Sequence, residues 1–300
     1  MAGDLTAPAE IGFIGIGAMG APMARNLIAA GYRLHVFDAA PGAAAKFAEE
    51  TGCAAPESLA ALGAAADAVI TMLPNGDIVR QVLLEAADNV LADPKPGLVA
   101  IDMSSSSPTG TRALEADLKA RGVPLVDAPV SGGVPRAVDG SLAIMAGGEE
   151  AVVERALPVL APMGKVTKTG GPGSGHAMKA LNNYLSAANL ATACEALIAG
   201  TRFGLDPETM IAVLNASSGR NTGTEQKIPA YVLPRTFSSG FALKLMAKDL
   251  RLAREVAQAA GAEAALLDGT SALYDAAEAA LGEGADNTDI FRYLEQLAED

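Results

Sequence analysis

Cysteine is scarce in this chain: only Cys53 and Cys194 occur, far apart and without CxxC spacing. That excludes a disulfide framework and a thiolate zinc site, and a reducing cytoplasm is the simplest setting. Histidine is equally rare, with only His35 and His176. Two are too few for a histidine-rich metal centre, and no clustered Asp and Glu motif suits magnesium, so no metal is expected. Positive charge is short as well: 22 basic residues stand against 35 acidic ones, a formal net charge of -13. Such a surface repels phosphate backbones and anionic headgroups, so neither nucleic acid nor membrane is an expected partner. Any site for an anionic substrate must therefore build its own local positive potential. Long apolar runs are missing too. The most apolar window, Ala180 to Gly200, contains Asn182, Asn183, Asn189 and Glu195, which are costly in hydrocarbon, and it reads as a buried helix. The opening MAGDLTAPAE has neither a basic nor an apolar segment of the export type and reads as a short frayed lead-in.

Apolar residues nevertheless make up 50% of the 300-residue chain, enough for more than one core, and two domains are expected. Much of that content is alanine, which points to closely packed helices. In the first half, β-rich runs alternate with helical stretches: IGFIG, RLHVF, AVITML, LVAID, PLVDA and LAIMAG. Strand followed by helix, repeated, implies a parallel sheet covered on both faces. The pattern changes at Gly170-Gly171-Pro172-Gly173-Ser174-Gly175. Beyond it the chain reads as helices, starting with one from Ser174 to about Gly204 and followed by others near Asp206-Pro207, near Phe241 and across Ala264 to Leu281. The expected fold is thus an α/β N-terminal domain with a parallel sheet (1–172) and an all-α C-terminal domain (173–300), joined by the long helix.

Gly15, Gly17 and Gly20 fill the pattern GxGxxG directly after an apolar strand, with Ala18 and Met19 between the last two. Gly15 permits a tight turn, Gly17 lets backbone approach a pyrophosphate, and Gly20 lets helix and strand pack closely. The helix N-terminus then supplies local positive potential. A second strand ends in Asp38, near the offset of about 20 residues at which an acidic residue meets the adenosine ribose. Its charge would repel a 2'-phosphate, so NAD is expected over NADP. Strand ends at Leu73-Pro74 and around Ser105 fall where open α/β sheets present ligand-facing loops and would flank the nicotinamide. Taken alone, each is also compatible with an ordinary loop.

These residues resemble the 3-hydroxyisobutyrate dehydrogenase or β-hydroxyacid dehydrogenase family, related to the 6-phosphogluconate dehydrogenases. Four motifs carry the resemblance, in order along nearly the whole chain: GFIGIGAMGAPMARNL, DAPVSGGVPRAVDGSLAIMAGG, GSGHAMKALNN and MAKDL. The resemblance implies an α/β Rossmann-type N-terminal domain with an all-α C-terminal domain, and a catalytic Lys179 with Asn183 as its helical partner. It also implies a substrate carboxylate at Ser131, Gly132 and Gly133, Lys248 at the nicotinamide end of the cofactor, and a homodimer or homotetramer.

The chemistry agrees. Lys179 and Asn183 are spaced i,i+4, so both side chains project from one helix face. An ammonium bonded to the reacting oxygen stabilises developing alkoxide, and a lysine at its reference pKa of ~10.4 is ready as an acid for aldehyde reduction. Oxidation requires it to lose that proton, so oxidation should quicken as pH rises. Ser131-Gly132-Gly133 follows a β-run and can converge backbone N–H groups with one hydroxyl on a carboxylate. The expected function is NAD-dependent interconversion of a small anionic 3-hydroxy acid and its semialdehyde. A tartronate semialdehyde reductase, an imine reductase-like enzyme and a non-catalytic dinucleotide-binding interaction protein stay open beside it. His176, one turn before Lys179, is a second candidate base. Ser217, Ser218, Asn221 and Lys227 are candidates for substrate selectivity, and Cys194 reads as core.

Overall fold

The computed structural model describes residues 5–299, which form two compact units that divide between Lys179 and Ala180. In the first unit β1 (Glu10–Ile14), β2 (Arg33–Phe37), β3 (Ala68–Thr71), β4 (Val99–Asp102) and β5 (Leu125–Asp127) form parallel neighbours in the order β2-β1-β3-β4-β5. Beyond β5 lie β7 (Leu142–Gly148), β6 (Val130–Ser131) and β8 (Gly164–Gly170). β7 runs antiparallel to both β5 and β6 and parallel to β8. The sheet is therefore mixed at one side. Only the ten residues 132–141, which include the short helix Gly133–Val138, separate β6 from β7, a connection suited to a reversal, whereas a parallel return needs a dozen residues or more.

The central strands β1, β3 and β4 are near-continuous apolar runs because both sheet faces are covered there. Successive side chains point to opposite faces, so Phe13, Ile70 and Ile101 enter one core while Ile14, Val69 and Ala100 enter another. The expected fraying at the start does not extend to its described part. Leu5 is buried in the first of these cores and its carbonyl accepts a hydrogen bond from Tyr32 Oη, while Met1 to Asp4 lie outside the described residues.

The helix Ser174–Phe203 is 30 residues long, about 45 Å at the ideal rise, and matches the span read from sequence. In the second unit follow helices Pro207–Asn215, Leu243–Ala259, Ala265–Leu281 and Ile290–Glu299. A π-helical segment, Gly223–Val232, was not anticipated. The core of this unit uses Ala180, Ala187, Ala191 and Ala193 to bring helices close, around Leu190, Ile228, Leu250 and Tyr274. Cys194 is buried among them, as expected of a core residue, and burial pushes its thiol up to about 12. No helix among the described residues is long and apolar enough to cross a membrane.

Candidate active site

Strand order reverses between β2-β1 and β1-β3-β4, and at such a switch point open α/β sheets bind ligands beyond their strand ends. Gly15 sits there at φ 93°, and a Cβ on it would stand 2.4 Å from the Met72 carbonyl oxygen. Gly20 opens the helix Gly20–Ala29 so close to the turn that its Cβ would meet Gly15 O at 1.9 Å. Gly17, by contrast, has nothing within 4 Å of where a Cβ would lie. Two glycines thus permit the turn and the third leaves space over the backbone. Met19 is the N-cap of the helix and its side chain makes no capping bond; in the first turn Ala21 N donates to Gly17 O and Pro22 has no N–H, so the helix dipole and the N–H groups of the loop before it are what the turn offers an anion.

Asp38 follows β2 and ties it to this loop: Oδ2 accepts from Ile16 N at 2.9 Å and Oδ1 from Ala40 N at 2.8 Å. Each carboxylate oxygen retains a further lone pair for a ribose hydroxyl. Exposed Gly17 and Ala18, the uncapped helix and Asp38 together fit a dinucleotide. Leu73 N donates to Ser104 Oγ at 2.9 Å, which ties Leu73 and the exposed Pro74 to the loop that carries half-buried Ser105, at the same end of the sheet. Gly20→Ala should cost about 1–3 kcal/mol through overpacking against rigid backbone. It should lower the thermal midpoint and weaken NADH binding in a fluorescence titration; a variant matching the parent in both would refute the close approach.

Beneath these loops lies a polar network that sequence reading did not anticipate. Asp102, at the end of β4, accepts from Thr71 Oγ1, Ser104 N and Ser106 Oγ at 2.7–2.9 Å. Asp127, at the end of β5, accepts from Gly173 N and His176 N at 2.8 and 2.9 Å. Burial pushes the Asp127 carboxyl above the usual range, opposed by the nearby His176 ring and these two N–H donors. The ring lies between the two carboxylates, 3.6 Å from Asp102 and 3.7 Å from Asp127. Its Nε2 faces the Ser104 carbonyl, which can only accept, and its Nδ1 meets Thr111 Oγ1 at 2.8 Å. His176 is thus fully buried with both nitrogens committed, and the second-base reading gives way to one in which it anchors the start of the long helix.

Lys179 and Asn183 lie one turn apart on that helix. Asn183 is buried, and its Nδ2 donates to Asp249 Oδ2 at 2.6 Å, which fixes the amide orientation because a carboxylate only accepts. Asp249 is the residue that sequence reasoning missed, although it follows Lys248 in MAKDL; Lys248 Nζ is 3.7 Å from its other oxygen. Ser131 ends β6, and Gly132 and Gly133 follow with φ of 136° and 69°, both in the region that favours glycine. The loop is exposed, and the Arg136 stem lies over Gly132, where a Cβ would meet Arg136 Cδ at 2.5 Å.

A glycine cradle and an acidic strand end at the switch point of a parallel sheet are hallmarks of dinucleotide-dependent oxidoreductases. The chain matches two family profiles end to end: the NAD binding domain of 6-phosphogluconate dehydrogenase over residues 10–171, and the NAD-binding of NADP-dependent 3-hydroxyisobutyrate dehydrogenase over residues 173–294. It is 42% identical to the 2-(hydroxymethyl)glutarate dehydrogenase of Eubacterium barkeri, covering 82% of this chain and 81% of that protein. It is 38% identical to the NAD-dependent L-serine dehydrogenase of Pseudomonas aeruginosa, covering 83% and 86% respectively. The solved structure of Mycobacterium tuberculosis 3-hydroxyisobutyrate dehydrogenase with L-serine superposes with a TM-score of 0.87 at 35% identity, covering 95% of this chain and 99% of that one. The chain belongs to the 3-hydroxyisobutyrate dehydrogenase family of β-hydroxyacid dehydrogenases and is an NAD(P)-binding oxidoreductase.

Proposed function

We propose that the protein oxidises a small 3-hydroxy acid of the 3-hydroxyisobutyrate type to its semialdehyde, or runs the reverse reduction, with NAD as cofactor. The observation that carries this reading is the pairing on one helix of Lys179 with an Asn183 whose amide is oriented by Asp249. Bound nicotinamide supplies the hydride acceptor or donor. Lys179 takes the proton from the substrate hydroxyl or returns it to the semialdehyde oxygen. Asn183 presents its remaining N–H, held in register by Asp249. Ser131, Gly132 and Gly133 receive the carboxylate, and Lys248 serves the nicotinamide end of the cofactor.

Asp38 carries the preference for NAD. Its carboxylate suits two ribose hydroxyls, and a 2'-phosphate beside it would meet like charge at a cost of several kcal/mol. The reading extends to a homodimer or homotetramer in a reducing cytoplasm. Free Cys53 and Cys194 support the compartment. Exposed Phe203, Leu205, Val213 and Leu266 on the second unit support self-association.

The test is NADH formation by the purified protein with 3-hydroxyisobutyrate, L-serine, glycerate and 2-(hydroxymethyl)glutarate. Turnover should favour NAD over NADP by about a hundredfold or more in kcat/KM, and Asp38→Ser should narrow that ratio at least about tenfold. Absence of turnover on all four acids would overturn the activity, and an unchanged cofactor ratio in Asp38→Ser would overturn the role of Asp38.

A further inference from the structure

Lys227 has no role in the scheme above. It sits in the π-helical segment Gly223–Val232, a backbone geometry that is rare and frequent at functional sites. Gly223 lets this segment press on the helix Ser174–Phe203, since a Cβ there would meet Leu190 Cα at 3.2 Å. Four residues later, Lys227 Nζ stands 3.5 Å from Ser186 Oγ. The segment therefore runs antiparallel to the helix and carries its ammonium back toward Asn183. Ser186 follows Lys179 and Asn183 at the i, i+4, i+7 spacing of a single helix face, about 4.5 Å further along the axis than Asn183.

The ammonium stands there without a close counter-charge. Among the described residues, no carboxylate lies within 4.0 Å of its Nζ. Asp286 acts on it only at longer range and is already engaged by Ser239 Oγ, Gly240 N and both Thr288 N and Oγ1. Burial holds the ammonium below the ordinary lysine value, with Asp286 opposing. An ammonium has three donors, and one long bond to a hydroxyl leaves most of that capacity unmet. A largely buried cation of this kind is stabilised by an anion that arrives beside it. In a chain of formal net charge -13, it is also the local positive potential that an anionic substituent requires.

We infer that Lys227 receives a second carboxylate, and that the substrate class is a hydroxymethyl-bearing dicarboxylic acid with a spacer on the order of one helical turn, ~5 Å. The inference rests on the hydroxy-acid reading given above. A monocarboxylic acid leaves the ammonium without a counter-charge, whereas a dicarboxylic acid brings its distal oxygens to the donors that Ser186 does not engage. Lys227 is then a specificity residue that discriminates between acids and takes no part in proton or hydride transfer.

The test combines binding and turnover on the full-length protein with NADH or NAD present. Calorimetry compares glutarate with butyrate, two unreactive ligands that differ in the second carboxylate. Kinetics compare 2-(hydroxymethyl)glutarate with 3-hydroxyisobutyrate. In the parent, the dicarboxylic ligand and substrate should each be favoured by roughly ten- to hundredfold. Lys227→Met should erase that preference while changing butyrate affinity and 3-hydroxyisobutyrate kcat/KM by less than about threefold, a split that general misfolding would not produce. Lys227→Arg should retain much of the preference because the charge remains. Equal binding of glutarate and butyrate by the parent would overturn the inference, as would equal losses on both acids in Lys227→Met. If neither hydroxy acid turns over but glutarate still binds preferentially through Lys227, the activity reading fails and the second-carboxylate site stands.

Discussion

Lys179→Met should lower kcat for hydroxy acid oxidation by about 10²–10⁴-fold while leaving NADH affinity within about threefold. The methionine keeps the bulk of the lysine stem and removes the group proposed above to exchange a proton with the substrate oxygen. Hydride loss from carbon without proton loss from oxygen leaves a high-energy protonated aldehyde, so the barrier rises in both directions. The cradle proposed for the cofactor, Gly15, Gly17, Gly20 and Asp38, is shaped by close backbone approach and by bonds to Ile16 N and Ala40 N, so dinucleotide binding should persist. Lys179→Arg separates charge from proton transfer, since a guanidinium stays protonated and cannot act as a base. It should hold substrate with KM near the parent value and still turn over at least about 10²-fold more slowly. Rescue of Lys179→Ala by added primary amines would identify the missing group. Steady-state kinetics with a fluorescence titration of NADH decide the matter, and oxidation by Lys179→Met within about tenfold of the parent would remove Lys179 from the reaction.

The first unit was legible in the sequence where local patterns suffice. The strands Glu10–Ile14, Ala68–Thr71 and Val99–Asp102 are apolar runs that announce a sheet buried on both faces, Arg33–Phe37 alternates as an edge strand does, and the glycine loop with Asp38 is a compact local motif. Two strands were not legible. Val130–Ser131 is only two residues long, and Gly164–Gly170 is half exposed, with Lys165 and Lys168 breaking any apolar run. The π-helical segment also escaped, because Pro229 inside it and its wider turn destroy the 3.6-residue periodicity on which helix reading depends. The same limit applies to the site. Lys179 and Asn183 lie within one local motif, GSGHAMKALNN, whose resemblance singles them out and whose i,i+4 spacing is compatible with a joint role. Asp249, which orients Asn183, is 66 residues away, and His176 contacts Thr111 across 65. Such partnerships are properties of the folded chain, and no local pattern encodes them.

Asp102→Ala should be the most damaging substitution to stability in the first unit, at about 3–5 kcal/mol. The carboxylate accepts three hydrogen bonds from the buried groups of Thr71, Ser104 and Ser106, and its truncation leaves all three donors without that acceptor where water does not reach. Each buried donor so abandoned costs about 1–3 kcal/mol. His176 also loses one of the two carboxylates that flank its ring. Asp127→Asn should be milder, near 1–2 kcal/mol, because the amide keeps one accepting oxygen and burial already disfavours the charge of Asp127. Urea unfolding followed by circular dichroism measures both, with a shifted midpoint and an unchanged slope expected for each. Function should follow, since Ser104 Oγ accepts from Leu73 N and the same loop bears Ser105, so slackening Asp102 releases both loops that are proposed to face the cofactor. NADH affinity should accordingly fall in Asp102→Ala by about tenfold at temperatures where the variant remains folded. A stability loss below about 1 kcal/mol would mean that the network relaxes around the missing carboxylate, and that the strand ends of β3 and β4 are held by their ladder hydrogen bonds alone.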